Sequence, residues 1–265
     1  MKQLLKFEFR KLFRMKSLYI CSAVIVLLTL FTFGALKIME MIMTNGEIMS
    51  AVGITELSVT GMEFLNAKYC MVSALSGTDI SILISIVVAL LFCTDFSTGA
   101  IKNIVAKGYS RISIFFAKYI ASVAASVILT AVCWLSGFVI GFSFWGEIGD
   151  DWIVSVLIIM GVQLLIMLAY CSIVCAFSAL FKRTAIVIVL SIFLPTVLEV
   201  VLLVVDIVIN SPTFSVSSYW LSSCLYDISY ISAQSADIVR AAVTSGVYIA
   251  VLTAVGVFAS NKSEV

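Results

Sequence analysis

Six long apolar runs, separated by short polar punctuation, organise the chain. They cover residues 17–36, 80–101, 119–146, 152–181, 184–205 and 241–261. A membrane-spanning helix needs about 20 largely apolar residues. Each run reaches or approaches that length, so the pattern predicts an all-α polytopic membrane protein with six transmembrane helices in a domain over 17–261. Asp95 interrupts the second run, and Glu199 and Pro195 interrupt the fifth. Ahead of the first run, residues 1–16 place Leu5, Phe9, Leu12 and Phe13 on one helical face. Lys6, Arg10, Lys11 and Arg14 fall on the other, with Leu4 and Phe7 off the apolar stripe. This pattern predicts an amphipathic helix lying on the inner membrane surface before the first span.

Composition names the solvent. Of 265 residues, 62% are hydrophobic and 12% charged. Ordinary soluble domains carry about 25% charge and roughly 45–50% apolar residues. Most of this chain is therefore built to sit in lipid. The stretch 1–36 is too long in its apolar part, and lacks the cleavage site, for a removed signal peptide. It reads as a retained anchor.

The net charge of +1 conceals a polarised layout. Thirteen of the sixteen cations fall before the first span, in 102–118, at Lys182-Arg183 and at Lys262. Lys37, Lys68 and Arg240 remain for the other side, where eleven acids gather: Glu40, Glu47, Glu56 and Glu63, Asp79, Glu147, Asp150 and Asp151, then Asp206, Asp227 and Asp237. Basic loops stay inside, so both termini are expected in the cytoplasm and the protein in the cell membrane. Segments 37–79 and 206–240 become exterior. The latter is rich in Ser and aromatics (Tyr219, Trp220, Tyr226, Tyr230), a composition suited to an aromatic belt at the interface or a partly re-entrant segment.

The absence of histidine removes imidazole bases, His-ligated metals and Ser-His or Cys-His nucleophile pairs. An intramembrane aspartyl dyad needs two aspartates in adjacent spans, and Asp150 and Asp227 fall in exterior loops. No catalytic or metal site is expected. Cys171 and Cys175 share a helical face without further ligands. Cys70 and Cys224 fall in predicted exterior loops, where a disulfide is open to them, although seven cysteines give it no support. Gly137 and Gly141 form a G-x-x-x-G pair that lets two helices approach closely. Glu199 within a span costs about 2.5–3.5 kcal/mol at the bilayer centre. It either lines a polar path or sits as a satisfied carboxyl near the interface.

The connection at 102–118 and its flanks carry the most specific text: Asp95-Phe96, Gly99, Lys102, Gly108, Ser110-Arg111 and Lys118. Gly99 and Gly108 permit turns, and Ser110 suits a helix cap. This spacing resembles the permease subunits of type-2 ATP-binding-cassette exporters, especially the small six-span permeases of bacteriocin-immunity and peptide-export operons. The chain has Asp95 where Glu is usual in that family, and Ala100 where Thr is usual. The resemblance implies that 102–118 docks as a coupling segment into a separate ATPase subunit. That subunit would bind ATP and Mg, since this chain has no G-x-x-x-x-G-K-[ST] motif. It also implies a second permease copy or paralogue, and a hydrophobic, peptide or lipid-like cargo moved by alternating access. No nucleic-acid partner is expected. Two readings compete: an ATP-independent channel or secondary transporter, and a scaffold that recruits a cytoplasmic partner.

Overall fold

The computed structural model describes residues 2–44, 66–76, 80–148, 153–209, 215–229 and 233–262. Glu47, Glu56, Glu63, Asp79, Asp150, Asp151 and Tyr230 lie outside them. Ten α-helices follow in chain order: α1 (Lys2–Arg14), α2 (Lys16–Thr44), α3 (Ala67–Ser73), α4 (Ile80–Ser97), α5 (Ala100–Ala106), α6 (Arg111–Trp145), α7 (Ile153–Phe181), α8 (Thr184–Ile209), α9 (Leu221–Asp227) and α10 (Ser235–Lys262). No strand occurs among the described residues. Six of these helices, α2, α4, α6, α7, α8 and α10, are long and apolar enough to cross a membrane.

Helix ends depart from the apolar runs wherever a charge finds a partner. The first span continues beyond residue 36 because Lys37 pairs with Glu40 at 3.1 Å, and Trp145 Nε1 donates to Glu40 Oε2 at 2.8 Å. Lys37 also lies over the Trp145 ring, 5.3 Å from its centroid. The last span starts at Ser235 rather than 241, since Arg240 binds Asp227 at 2.6 Å and Asp237 at 3.0 Å. The third begins at Arg111 rather than 119, so residues 111–118 of the expected coupling segment are the first turns of α6. The second ends at Ser97 rather than 101.

Helix α7 is the hub, packed against α4, α6, α8 and α10. Helix α8 is its opposite, burying only Val187 and Ser191. Pro195 removes the helical donor to the Ser191 carbonyl, yet α8 runs unbroken from Thr184 to Ile209. The final turns of α10 abut the start of α6, where a Cβ on Gly256 would lie 2.6 Å from Phe115 Cζ. The end of α10 therefore lies at the same end of the bundle as α1, which also packs on α6.

The described part of 37–79 next to α4 is not a surface loop. Asn66 caps α3 by accepting from the Tyr69 amide at 2.8 Å, and the Ala67 amide donates to the Glu147 carbonyl at 2.9 Å. From there α3 descends antiparallel to α6 with Ala67, Cys70 and Val72 fully buried. Gly137 and Gly141 make the groove it occupies. A Cβ on Gly137 would lie 2.7 Å from the Cys70 carbonyl oxygen, and one on Gly141 2.6 Å from Cys70 Cβ. The close approach expected from the glycine pair is thus made within one chain. Gln163 on α7 donates to the Val72 carbonyl at 2.9 Å and accepts from Trp134 Nε1 at 3.1 Å, tying α3 to both neighbours.

The segment between α8 and α10 also folds onto the bundle. Asp206 accepts from the amides of Val216 and Ser217 at 2.6 and 3.0 Å. Trp220 is buried edge-on against Tyr248, while Tyr219 and Tyr226 stay exposed. Among the described aromatics, Trp220 thus lies in the core and Tyr219 and Tyr226 on the surface. Cys70 and Cys224 are buried in α3 and α9 and are both free thiols. All seven cysteines are free and buried.

Two outcomes follow from this packing. Gly141→Ala should destabilise the protein by about 1–3 kcal/mol through overpacking against α3, whereas Gly34→Ala, where no atom lies within 4 Å, should be neutral; thermal unfolding in detergent compares them. All seven thiols are free and buried, out of reach of an aqueous reagent. A maleimide should therefore leave the folded protein unlabelled and modify all seven cysteines after denaturation without reductant.

Candidate functional site

The basic end of the bundle is shaped by the connection between α4 and α6. After Ser97 the chain turns through Gly99, whose φ of 71° suits glycine because no Cβ opposes it. Helix α5 follows, and Gly108, at φ 84°, reverses the chain again. Ser110 caps α6 by accepting from the Ser113 amide at 3.2 Å. One face of α5 is pinned: Ile101 is buried, and Ile104, Val105 and Tyr109 pack on Leu4 of α1 and on Ile114 and Ala117 of α6. The other face presents Lys102, Asn103, Ala106 and Lys107 to the outside.

The connection between α7 and α8 lies beside it. Lys182 adopts the left-handed conformation, φ 54°, which lets two long helices join through two residues. Its ammonium sits 5.8 Å from the Phe96 ring centroid. Between the two connections runs an open cleft of about 700 Å³, walled by Phe96, Gly99, Lys102, Phe181, Lys182 and Arg183.

Beneath this surface lies a cluster of four charges. Lys118 on α6 has no exposed surface and contacts two carboxylates: Asp95 at the end of α4, and Glu8 of α1 at 3.1 Å. Lys11, one turn along α1 from Glu8, binds Asp95 Oδ1 at 2.6 Å and donates to the Leu91 carbonyl at 3.0 Å. Two cations and two anions leave the group neutral, as burial demands. Burial lowers the Lys11 pKa, and the Lys118 charge lowers it further, against the raising pull of Asp95 and Glu8.

The residues read as one coupling group thus divide by role. Asp95 and Lys118, at the end of the second span and the start of the third, are interior, each drawn inward by the other's charge. Phe96 is half-buried beside Lys182. Gly99, Gly108 and Ser110 set the backbone path, Lys102 is exposed and Arg111 is half-buried. Glu8 and Lys11, the latter expected on the polar face of α1, complete the cluster from outside that group. Glu8 is the lone acid among the six cations of residues 1–16, which was the available signal.

The buried stripe of α1 is accordingly Leu4, Glu8 and Leu12 rather than the expected apolar face. Leu5 and Phe9 are half-buried and Phe13 is exposed, since α1 packs on α6 as well as flanking the bundle. Toward the opposite end, Glu199 lines a separate cavity of about 510 Å³ between α4, α7, α8 and α9. Among the described residues no cluster of His, Cys, Asp and Glu is arranged to hold a metal.

Removing one member of a buried ion pair typically costs about 3–5 kcal/mol because its partner stays uncompensated. Lys118→Met should fall in that range, and Lys102→Met, at an exposed position, should stay within about 0.5 kcal/mol of the parent. Denaturant unfolding in detergent distinguishes the two.

No curated protein and no solved structure matches the chain. The sequence profile of the family described as ABC-2 family transporter protein does match, over residues 4–200. That range takes in α1, the ion cluster, the α4–α5–α6 turn and Glu199. With six helices suited to crossing a membrane, a braced basic turn between the second and third, and a family match over most of its length, the chain belongs to the ABC-2 family transporter proteins and is a multi-pass ABC transporter permease.

Proposed function

We propose that the chain is the permease half of an exporter, in which two permease chains, identical or paralogous, work with two ATPase subunits. The end bearing α1, α5 and Lys182-Arg183 faces the cytoplasm under the positive-inside rule, which puts both termini inside and the protein in the cell membrane. ATP and Mg are bound by the ATPase. This chain supplies the mechanical input surface and the path, and has no catalytic step of its own. The cargo is hydrophobic or amphipathic (a peptide, antibiotic or lipid-like molecule), moved by alternating access along a path that includes Glu199.

The observation that carries this reading is the contrast between the two faces of α5. Lys102, Asn103 and Lys107 are exposed, while Ile101 is buried and Ile104 and Val105 are pinned to α1 and α6. A short helix free on one face and bound to two long elements on the other passes a push to the bundle instead of yielding to it. Lys182 and Arg183 extend the same basic surface. Asp95, Glu8, Lys11 and Lys118 act behind it, as positioning residues that hold α1, α4 and α6 together.

Replacing both Lys102 and Lys107 by Glu should reduce co-purification of a Walker-motif ATPase from native membranes at least tenfold, with the unfolding temperature unchanged. Undiminished co-purification would move the docking face away from α5.

A further inference from the structure

Glu199 belongs to a recess whose walls differ in chemistry. The polar wall is built from serines of three segments: Ser76 and Ser81 flanking the start of α4, Ser217 and Ser218 before α9, and Ser222 and Ser223 within it. Leu75, Ile80 and Met167 supply an apolar wall. At about 510 Å³ the cavity falls within the range typical of small-ligand pockets, about 300–1,000 Å³.

Charge decides what such a recess accepts. Among the described residues no Lys or Arg lines it. Asp227, a second carboxylate on the described wall, is already bound to Arg240 at 2.6 Å, and Arg240 is shared with Asp237 at 3.0 Å. Glu199 forms no ion pair among the described residues, although it lies well inside α8 with apolar neighbours on either side. A carboxylate at such depth persists when something polar or cationic answers it. Ser222 belongs to the same wall, and its buried Oγ has no hydrogen-bond partner among the described residues. The wall thus combines a carboxyl group with no ion pair among the described residues, several hydroxyls able to accept from N–H groups, and an apolar surface for an alkyl or aryl body.

We propose that this recess is a binding site for amphipathic cations bearing an ammonium group, with Glu199 as counter-ion and Leu75, Ile80 and Met167 holding the apolar part. The proposal deepens the exporter reading by naming its cargo class. It rests on that reading only for what happens to the ligand after binding; the site itself needs no ATPase.

The test uses the purified full chain in phosphatidylcholine nanodiscs without ATPase, and tritiated octylamine as probe, measured against empty nanodiscs. Saturable binding is expected, displaced by unlabelled octylamine at least tenfold more effectively than by octanol, and not by octanoate. Glu199→Gln should weaken it at least tenfold, and Glu199→Asp should retain part of it. Binding no greater than to empty nanodiscs, equal displacement by octanol, or unchanged affinity in a folded Glu199→Gln protein would each overturn the assignment. The octanol comparison is made on the unaltered chain, so it decides even if the variant fails to fold. Any of these failures would leave ATPase docking at α5 untouched, and loss of docking would leave octylamine binding untouched.

Discussion

Lys118 is a cation with no exposed surface, and much of the basic end is arranged around that fact. An ammonium moved from water to a low-dielectric interior loses several kcal/mol that a single attractive contact seldom restores. Two carboxylates answer it here, from α1 and from α4, and Lys11 then balances the second of them. Each contact joins a different pair of elements. Helix α1 is consequently locked to the bundle by charge as well as by Leu4 and Leu12, and α4 and α6 are held at the spacing that α5 must bridge. Arg10 and Arg14, one helical face away, remain exposed.

At the other end, small side chains do what charges do at the first. Gly137 and Gly141 let the α3 backbone lie almost against α6, and Gln163 satisfies the Val72 carbonyl that this approach leaves facing α7. Helix α4 has 18 residues, about 27 Å, slightly short of a hydrocarbon core of about 30 Å. Helix α3, which precedes it in the chain, is packed into the bundle against α6 rather than lying on its surface.

The sequence made the crossings legible because span length and apolar content are local properties. Their ends were not, because polar residues mark an end only when they lack partners. Ser110 marked the helix that starts at Arg111, but nothing local showed that Lys118 would be enclosed; it is buried because it meets Asp95 and Glu8 from distant stretches of chain. Gly99, Gly108 and Ser110 were readable for a comparable reason to the spans, since a turn or a cap is set by adjacent residues. The glycine pair signalled a close approach but could not name its partner, which lies some seventy residues earlier in the chain. Glu199 stood out as a charge in an apolar run. Its serine neighbours come from segments on both sides of it and share no pattern with it.

The placement of Glu199 has a consequence for solvation. A carboxylate inside an apolar helix is tolerated in hydrocarbon only where protein or a polar recess receives it. Leu75 and Ser76 following α3, and Ile80 and Ser81 at the start of α4, line the recess that also holds Glu199. That hollow gives the carboxylate hydroxyl neighbours that lipid would deny it. Closing it with a large apolar side chain at Ser81 would strand the carboxylate.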